Sequence, residues 1–137
     1  MAVEQIFQAG MRAEQTFLVT EADSASHVGS GSLRVLATPS MIGFMERVAR
    51  IFMDEHLPPG SSSVGVHVDV RHLAATPVGM QLRVACEVIE TEGRRVVFLV
   101  QAWDDRELVG EGRHERVVID VQRFLKRLQA KQDPADT

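Results

Sequence analysis

The apolar residues of this chain change period along its length, and the changes outline its elements. Around positions 41 to 53 they fall at Met41, Ile42, Phe44, Met45, Val48, Ala49, Ile51, Phe52 and Met53, a spacing that suits a helix. They occupy most of the circumference rather than one stripe, which predicts a helix covered on several sides. Thr38 followed by Pro39 is a start signal. The threonine hydroxyl is expected to cap the free amides of the first turn, and proline early in that turn loses no hydrogen bond. Pro58, Pro59 and Gly60 stop the helix near His56.

Past that point the period becomes two. Val64, Val66, Val68 and Val70 alternate with Gly65, His67, Asp69 and Arg71, the pattern of a strand with one core face. After a turn at 75–79, Met80, Leu82, Val84, Cys86 and Val88 repeat it. Glu92 and Gly93 form a hairpin, 96–103 is an apolar strand, Asp104 and Asp105 turn the chain, and 108–121 is the last strand, with Gly110 and Gly112 as bulge positions. Upstream, 12–20 reads as a strand, 22–32 as a loop of small residues and 33–36 as a short extended piece. Phe124, Leu125 and Leu128 suggest a short amphipathic C-terminal helix before a polar tail. One apolar helix followed by four antiparallel strands is an α+β arrangement, in which the sheet must curve around the helix as in a hotdog fold. A single domain is expected over 1–137, with its core at about 10–124.

Composition narrows the class of function. The 137 residues are 45% hydrophobic and 25% charged with net charge -4, enough for a packed core and contrary to a nucleic-acid surface, since no long basic run exists. Residues 1–10 lack the basic and apolar regions of a secretion signal, so a cytoplasmic protein with no membrane partner is expected. The one cysteine, Cys86, lies in an apolar strand pattern and fits a buried thiol in a reducing compartment.

Three side chains stand out as candidates for chemistry. Glu46 shares a helical face with Ile42, Ala49 and Met53; alternatively it pairs with Arg50 one turn on, along a solvated strip. His72 continues the even-numbered register of Val64 to Val70, which puts an imidazole in a core-facing slot, either as a structural histidine or for proton transfer with the helix carboxylate. Thr38 is a plain cap or a hydroxyl placed to help hold a carbonyl oxygen gaining negative charge. A metal site from His67, Asp69 and His72 is not expected, because alternation puts the first two opposite the third. No nucleophile elbow or phosphate-binding glycine loop is present, and a mid-strand apolar setting disfavours Cys86 as a nucleophile.

The segments VLATPSMIGFME (35–46), SVGVHVDVRHLAATPVG (63–79), EGRRVVF (92–98) and VGEGRHERVVI (109–119) together resemble the hotdog thioesterases of the fluoroacetyl-CoA thioesterase type, over about residues 10–124. The resemblance implies Thr38, Glu46 and His72 as catalytic residues, a Gly65 backbone amide facing the thioester carbonyl, and Arg116 near the substrate. It implies hydrolysis of an acyl-CoA to free acid and CoA, with no cofactor beyond the CoA of the substrate. The family's fluoroacetyl-specific pattern carries phenylalanines in the loop before the helix, whereas Gly29, Ser30, Gly31 and Ser32 stand nearby here, which implies a different acyl group. A homodimer, or a tetramer, is expected from sheet edges that two subunits can pair, with Gly65 of one chain serving Glu46 of the other. The alternative is a protein that binds acyl-CoA without turning it over. A hotdog hydratase is disfavoured, because its closely spaced Asp and His are missing around His56 and His72.

Overall fold

The computed structural model describes residues 2–134. Five strands, β1 (Arg12–Leu18), β2 (Ser61–His72), β3 (Gln81–Glu92), β4 (Arg95–Trp103) and β5 (Leu108–Asp120), form one sheet in the order β1-β3-β4-β5-β2. Every neighbouring pair is antiparallel. The helices are α1 (Ala25–Val28), α2 (Thr38–His56) and α3 (Val121–Gln132). Strands β3, β4 and β5 make a meander through short turns, while β2 crosses to the far edge and pairs with β5. Helix α2 packs against β1, β2, β3 and β4. This is the α+β hotdog arrangement that the change of period predicts.

Helix α2 buries Met41, Phe44, Met45, Val48, Ala49, Phe52 and Met53, a regular three-and-four spacing along one stripe. Cover on several sides is therefore not what one chain provides. Ile42 and Ile51 stay half-buried on its flanks, because the sheet curves over one face only. Even-numbered residues of β3 and β4, from Leu82 to Val88 and Val96 to Ala102, meet the stripe. Phe52 sets its ring edge-on to Phe98, with centroids 6.1 Å apart. The core also begins earlier than residue 10. Val3 and Phe7 are fully buried, and the Phe7 ring lies 5.8 Å from both Phe52 and His56; their i, i+4 spacing across a short 3-10 turn, Val3–Gln5, was the signal.

Three local departures follow from hydrogen bonding. The N-cap of α2 is Ala37, not Thr38: the Ala37 carbonyl accepts the first helical bond, from the Met41 amide at 3.0 Å, and no side chain caps the helix. The 22–32 loop contains a capped turn, α1, where the Ser24 hydroxyl accepts from the His27 amide at 3.2 Å. Helix α3 is amphipathic and capped by the Asp120 carboxylate, which accepts from Arg123 N–H at 3.0 Å, yet it buries no residue and leaves Leu125 and Leu128 exposed.

The most consequential departure is in β2. Its pairing with β5 slips between Gly65 and His67, leaving Val66 as an extra residue, a bulge that reverses which parity faces inward. Before it, Ser63 is buried beside Val118 and Gly65 pairs with Arg116. After it, Val68 pairs with His114 and Val70 joins the core. Val64 and Val66 therefore do not share the inward face with His72, as uninterrupted alternation predicts. Val66 is 54% exposed. The predicted bulge near Gly110 is present one residue away, where β4 and β5 slip between Ala102 and Trp103. No slip occurs at Gly112, and a side chain there would strike the Asp69 carbonyl.

Candidate active site

Backbone bridging brings Thr38 to His72. The Leu36 amide donates to the Thr76 carbonyl at 2.7 Å and Val35 bridges to Pro77, so the start of α2 is held against the segment that follows β2. Freed from capping, the Thr38 hydroxyl hydrogen-bonds His72 Nδ1 at 2.8 Å. His72 Nε2 is buried and has no hydrogen-bond partner among the described residues. Burial lowers the pKa of His72, an effect the Ala74 backbone partly offsets, so the imidazole stays neutral and can accept a proton below the usual histidine range. A cavity of about 350 Å³ adjoins this pair, with walls that include Ala25, Ser30, Ala37, Ala74 and Ala75.

Glu46 turns toward the sheet. Its carboxylate is 3.8 Å from the Arg116 guanidinium, with the glutamate side chain 43% exposed and the arginine 6%. The pairing with Arg50 does not form; Arg50 reaches Asp54 at 3.3 Å instead. A Cβ placed on Gly65 would come within 2.7 Å of Glu46 Oε2, 3.1 Å of His114 Cε1 and 3.3 Å of Arg116 Nη1. Only glycine lets the carboxylate approach the β2 backbone so closely. Gly65 and Glu46 also approach each other within one chain.

Arg116 is buried and held on several sides. Its Nε donates to Ser63 Oγ at 2.8 Å, one terminal nitrogen donates to the Ser63 carbonyl at 3.1 Å, and the other lies 3.1 Å from His114 Nε2. Burial pushes its pKa down, while Glu46 and Asp54 push it back up. Ser63 and His114 escaped the sequence reading. His114 shares the even parity of Arg116 on β5, a signal that could have found it; Ser63 lies in a serine run whose inward parity depends on the bulge.

The sequence candidates thus fall into two pairs, Thr38 with His72 and Glu46 with Arg116, Gly65 lying against the second. No hydrogen bond or ion pair joins the two among the described residues. Thr38 and Glu46 are eight positions apart on one helix, about 12 Å along its axis. Each pair offers different chemistry: a half-buried neutral imidazole with a hydroxyl, and a carboxylate against a close backbone. Together they are the parts for attack on a carbonyl and for proton transfer. No group of three or more metal-ligating side chains is found among the described residues, and no helix is long and apolar enough to cross a membrane.

The model of the fluoroacetyl-CoA-specific thioesterase family matches residues 19–122, a span that contains both pairs. The chain belongs to this family. It is 39% identical over 97 residues to the fluoroacetyl-CoA thioesterase of Streptantibioticus cattleyicolor, covering 71% of this chain and 70% of that enzyme. A solved structure of the fluoroacetyl-CoA thioesterase superposes with TM-score 0.86 at 32% identity, covering 93% of this chain and 98% of that one. A hot-dog-like protein from Thermanaerovibrio acidaminovorans superposes with TM-score 0.90 at 27% identity, covering 97% and 98%. As a member of this thioesterase family, the protein carries the hotdog fold with its polar side chains at the ends and middle of α2, and the bulged strand β2 supplies Gly65 and His72.

Proposed function

We propose that the protein hydrolyses a small acyl-CoA thioester to the free acid and CoA, using Thr38, Glu46 and His72, with Gly65 and Arg116 binding the reacting group. The observation that carries this reading is the approach of Glu46 to Gly65, a carboxylate held over the side-chain-free face of the β2 backbone beside a buried arginine. The Gly65 N–H, helped by the Thr38 hydroxyl, would hold the oxyanion as the carbonyl becomes tetrahedral, a contact worth about 3 to 4 kcal/mol of barrier. Glu46 either attacks the carbonyl carbon, giving a mixed anhydride that water then opens, or removes a proton from an attacking water. In both routes the C–S bond breaks and the sulfur leaves as a thiol, its proton supplied through His72. No cofactor takes part; CoA enters as part of the substrate.

The acyl group is assigned to the cavity next to Thr38 and His72, where Ser30 stands in the wall. Small loop residues and alanine walls favour a group other than fluoroacetyl. Because one chain leaves the two pairs apart, we assign their meeting to a homodimer formed along the β2 edge, where Val66 and Val68 are exposed. Pairs of dimers would make the tetramer. The enzyme is expected in the cytoplasm. Free-thiol release from acyl-CoAs of graded size tests the function: wild type releases CoA, and Glu46→Ala loses at least about a hundredfold. Saturable acyl-CoA binding without thiol release would establish the non-catalytic alternative instead. Equal rates for Glu46→Ala and wild type would remove Glu46 from the mechanism.

A further inference from the structure

His114 is 1% exposed and sits where the bulge of β2, Arg116 and Glu46 converge. Its Nε2 is 3.1 Å from an Arg116 nitrogen and its Nδ1 is 3.0 Å from the His67 carbonyl. A guanidinium only donates hydrogen bonds, so Nε2 must accept; a carbonyl only accepts, so Nδ1 must carry the proton. Both contacts are met by one neutral tautomer and by no other protonation state. The His67 carbonyl belongs to the residue that follows the extra Val66, so this ring ties down the bulge that presents Gly65.

We propose that His114 is a positioning residue for the hydrolysis: it links the bulge carrying the Gly65 amide to the guanidinium facing Glu46, so that carboxylate and oxyanion donor keep one geometry. The inference rests on the hydrolase reading for its kinetic consequence, while the tautomer stands on hydrogen bonding alone. The surroundings agree. Burial lowers the pKa of His114, as does Arg116 on its own strand; the His67 carbonyl on β2, Glu46 on α2 and Glu115 on β5 act in the other direction. The Arg116 charge in turn faces Asp54 and Arg50 on α2. Protonating His114 would remove the acceptor of the Arg116 donor and set two cations side by side.

The test has two arms. In the first, thiol release is measured against pH for wild type, His114→Phe and His114→Gln. Phenylalanine keeps the ring and loses both contacts, and should cut kcat by about ten- to a hundredfold with KM little changed. Glutamine offers an acceptor near the Nε2 position and should recover most of that loss. Wild type should show two ionisations on its acid limb, a slope approaching two, and His114→Gln a slope of one. Wild-type kcat and slope in a folded His114→Phe would overturn the proposal. In the second arm, nitrogen NMR of wild-type histidines should find His114 protonated at Nδ1 and bare at Nε2 at neutral pH. The opposite tautomer would overturn the proposal even if both variants failed to fold. If wild type released no thiol from any acyl-CoA while His114 showed the Nδ1–H tautomer, the hydrolase reading would fail and the link would stand as structure.

Discussion

Gly65→Ala separates activity from stability. The added Cβ would lie 2.7 Å from Glu46 Oε2, where ordinary contact begins near 3.4 Å, so the carboxylate must withdraw by roughly 0.7 Å. Misplacing a reacting group by about 1 Å can cost a hundredfold in rate. A fall of ten- to a hundredfold in kcat is therefore expected, about 1.4 to 2.7 kcal/mol of barrier. Stability should respond differently. Gly65 does not occupy the left-handed region, so alanine fits its backbone and gains about 0.4 to 1 kcal/mol from a less flexible unfolded chain. That gain offsets the tight contact with His114 Cε1 at 3.1 Å. The melting temperature should stay within about 5 °C of wild type. Gly43→Ala serves as the control, since nothing lies within 4 Å of its added methyl: it should raise stability by about 0.5 to 1 kcal/mol. Thiol-release kinetics and thermal melts decide the matter. A folded Gly65→Ala enzyme with wild-type kcat would refute the placement of Glu46 against Gly65 as the working geometry.

Four further outcomes are expected. The acid limb of kcat/KM should have its first midpoint below 6.5, because burial lowers the His72 pKa from that value; a midpoint at or above it would remove His72 as the proton acceptor. Stability should follow the same direction. His72 and His114 both bind protons less readily folded than unfolded, so their contribution is complete above 6.5 and is lost as pH falls from there through their lowered values, read by denaturant titration across that window. Cys86 is buried and its thiol is pushed up to about 12, so an aromatic disulfide reagent should leave the native protein unmodified at pH 8 and titrate one thiol after unfolding. Finally, Glu46→Ala and His72→Ala, each inactive alone, should regain about a quarter of wild-type activity when co-refolded in equal amounts, if each site joins Glu46 of one subunit with His72 of its partner. No recovery would place the site within one chain.

Much of the fold could be read from period alone. The helix ends at His56 as Pro58 to Gly60 require, and the even-numbered core face of β3 is the one that alternation assigns. What period could not supply is direction of cover. Met41, Ile42, Phe44 and Ile51 look alike as apolar positions, and only the sheet's position decides that the first and third are buried while the others stay partly open. The role of Thr38 was legible as to place but not as to partner. The Thr-Pro pair marks a helix start, yet a shift of the cap by one residue turns the hydroxyl from a backbone acceptor into a partner of His72. Glu46 shows a similar limit: two arginines lie within reach by different rules, and spacing along the helix favours the wrong one. Arg116, more distant in sequence, takes the contact because β5 carries it under the helix beside Ser63.

The extra residue at Val66 explains why the site exists at all. In a regular strand, Gly65 and His72 have opposite parity, so one of them must face away from α2. Inserting one residue between them brings both inward, at the cost of a carbonyl at His67 that the His114 ring then satisfies. The same slip turns Val66 out to the open edge of the sheet, where a second copy is proposed to pair. The inward Gly65, the inward His72 and the exposed Val66 are therefore consequences of one irregularity. Removing Val66 would return β2 to simple alternation and flip either Gly65 or His72 to the outer face. Such a deletion should abolish turnover while sparing the meander of β3, β4 and β5, whose register owes nothing to it.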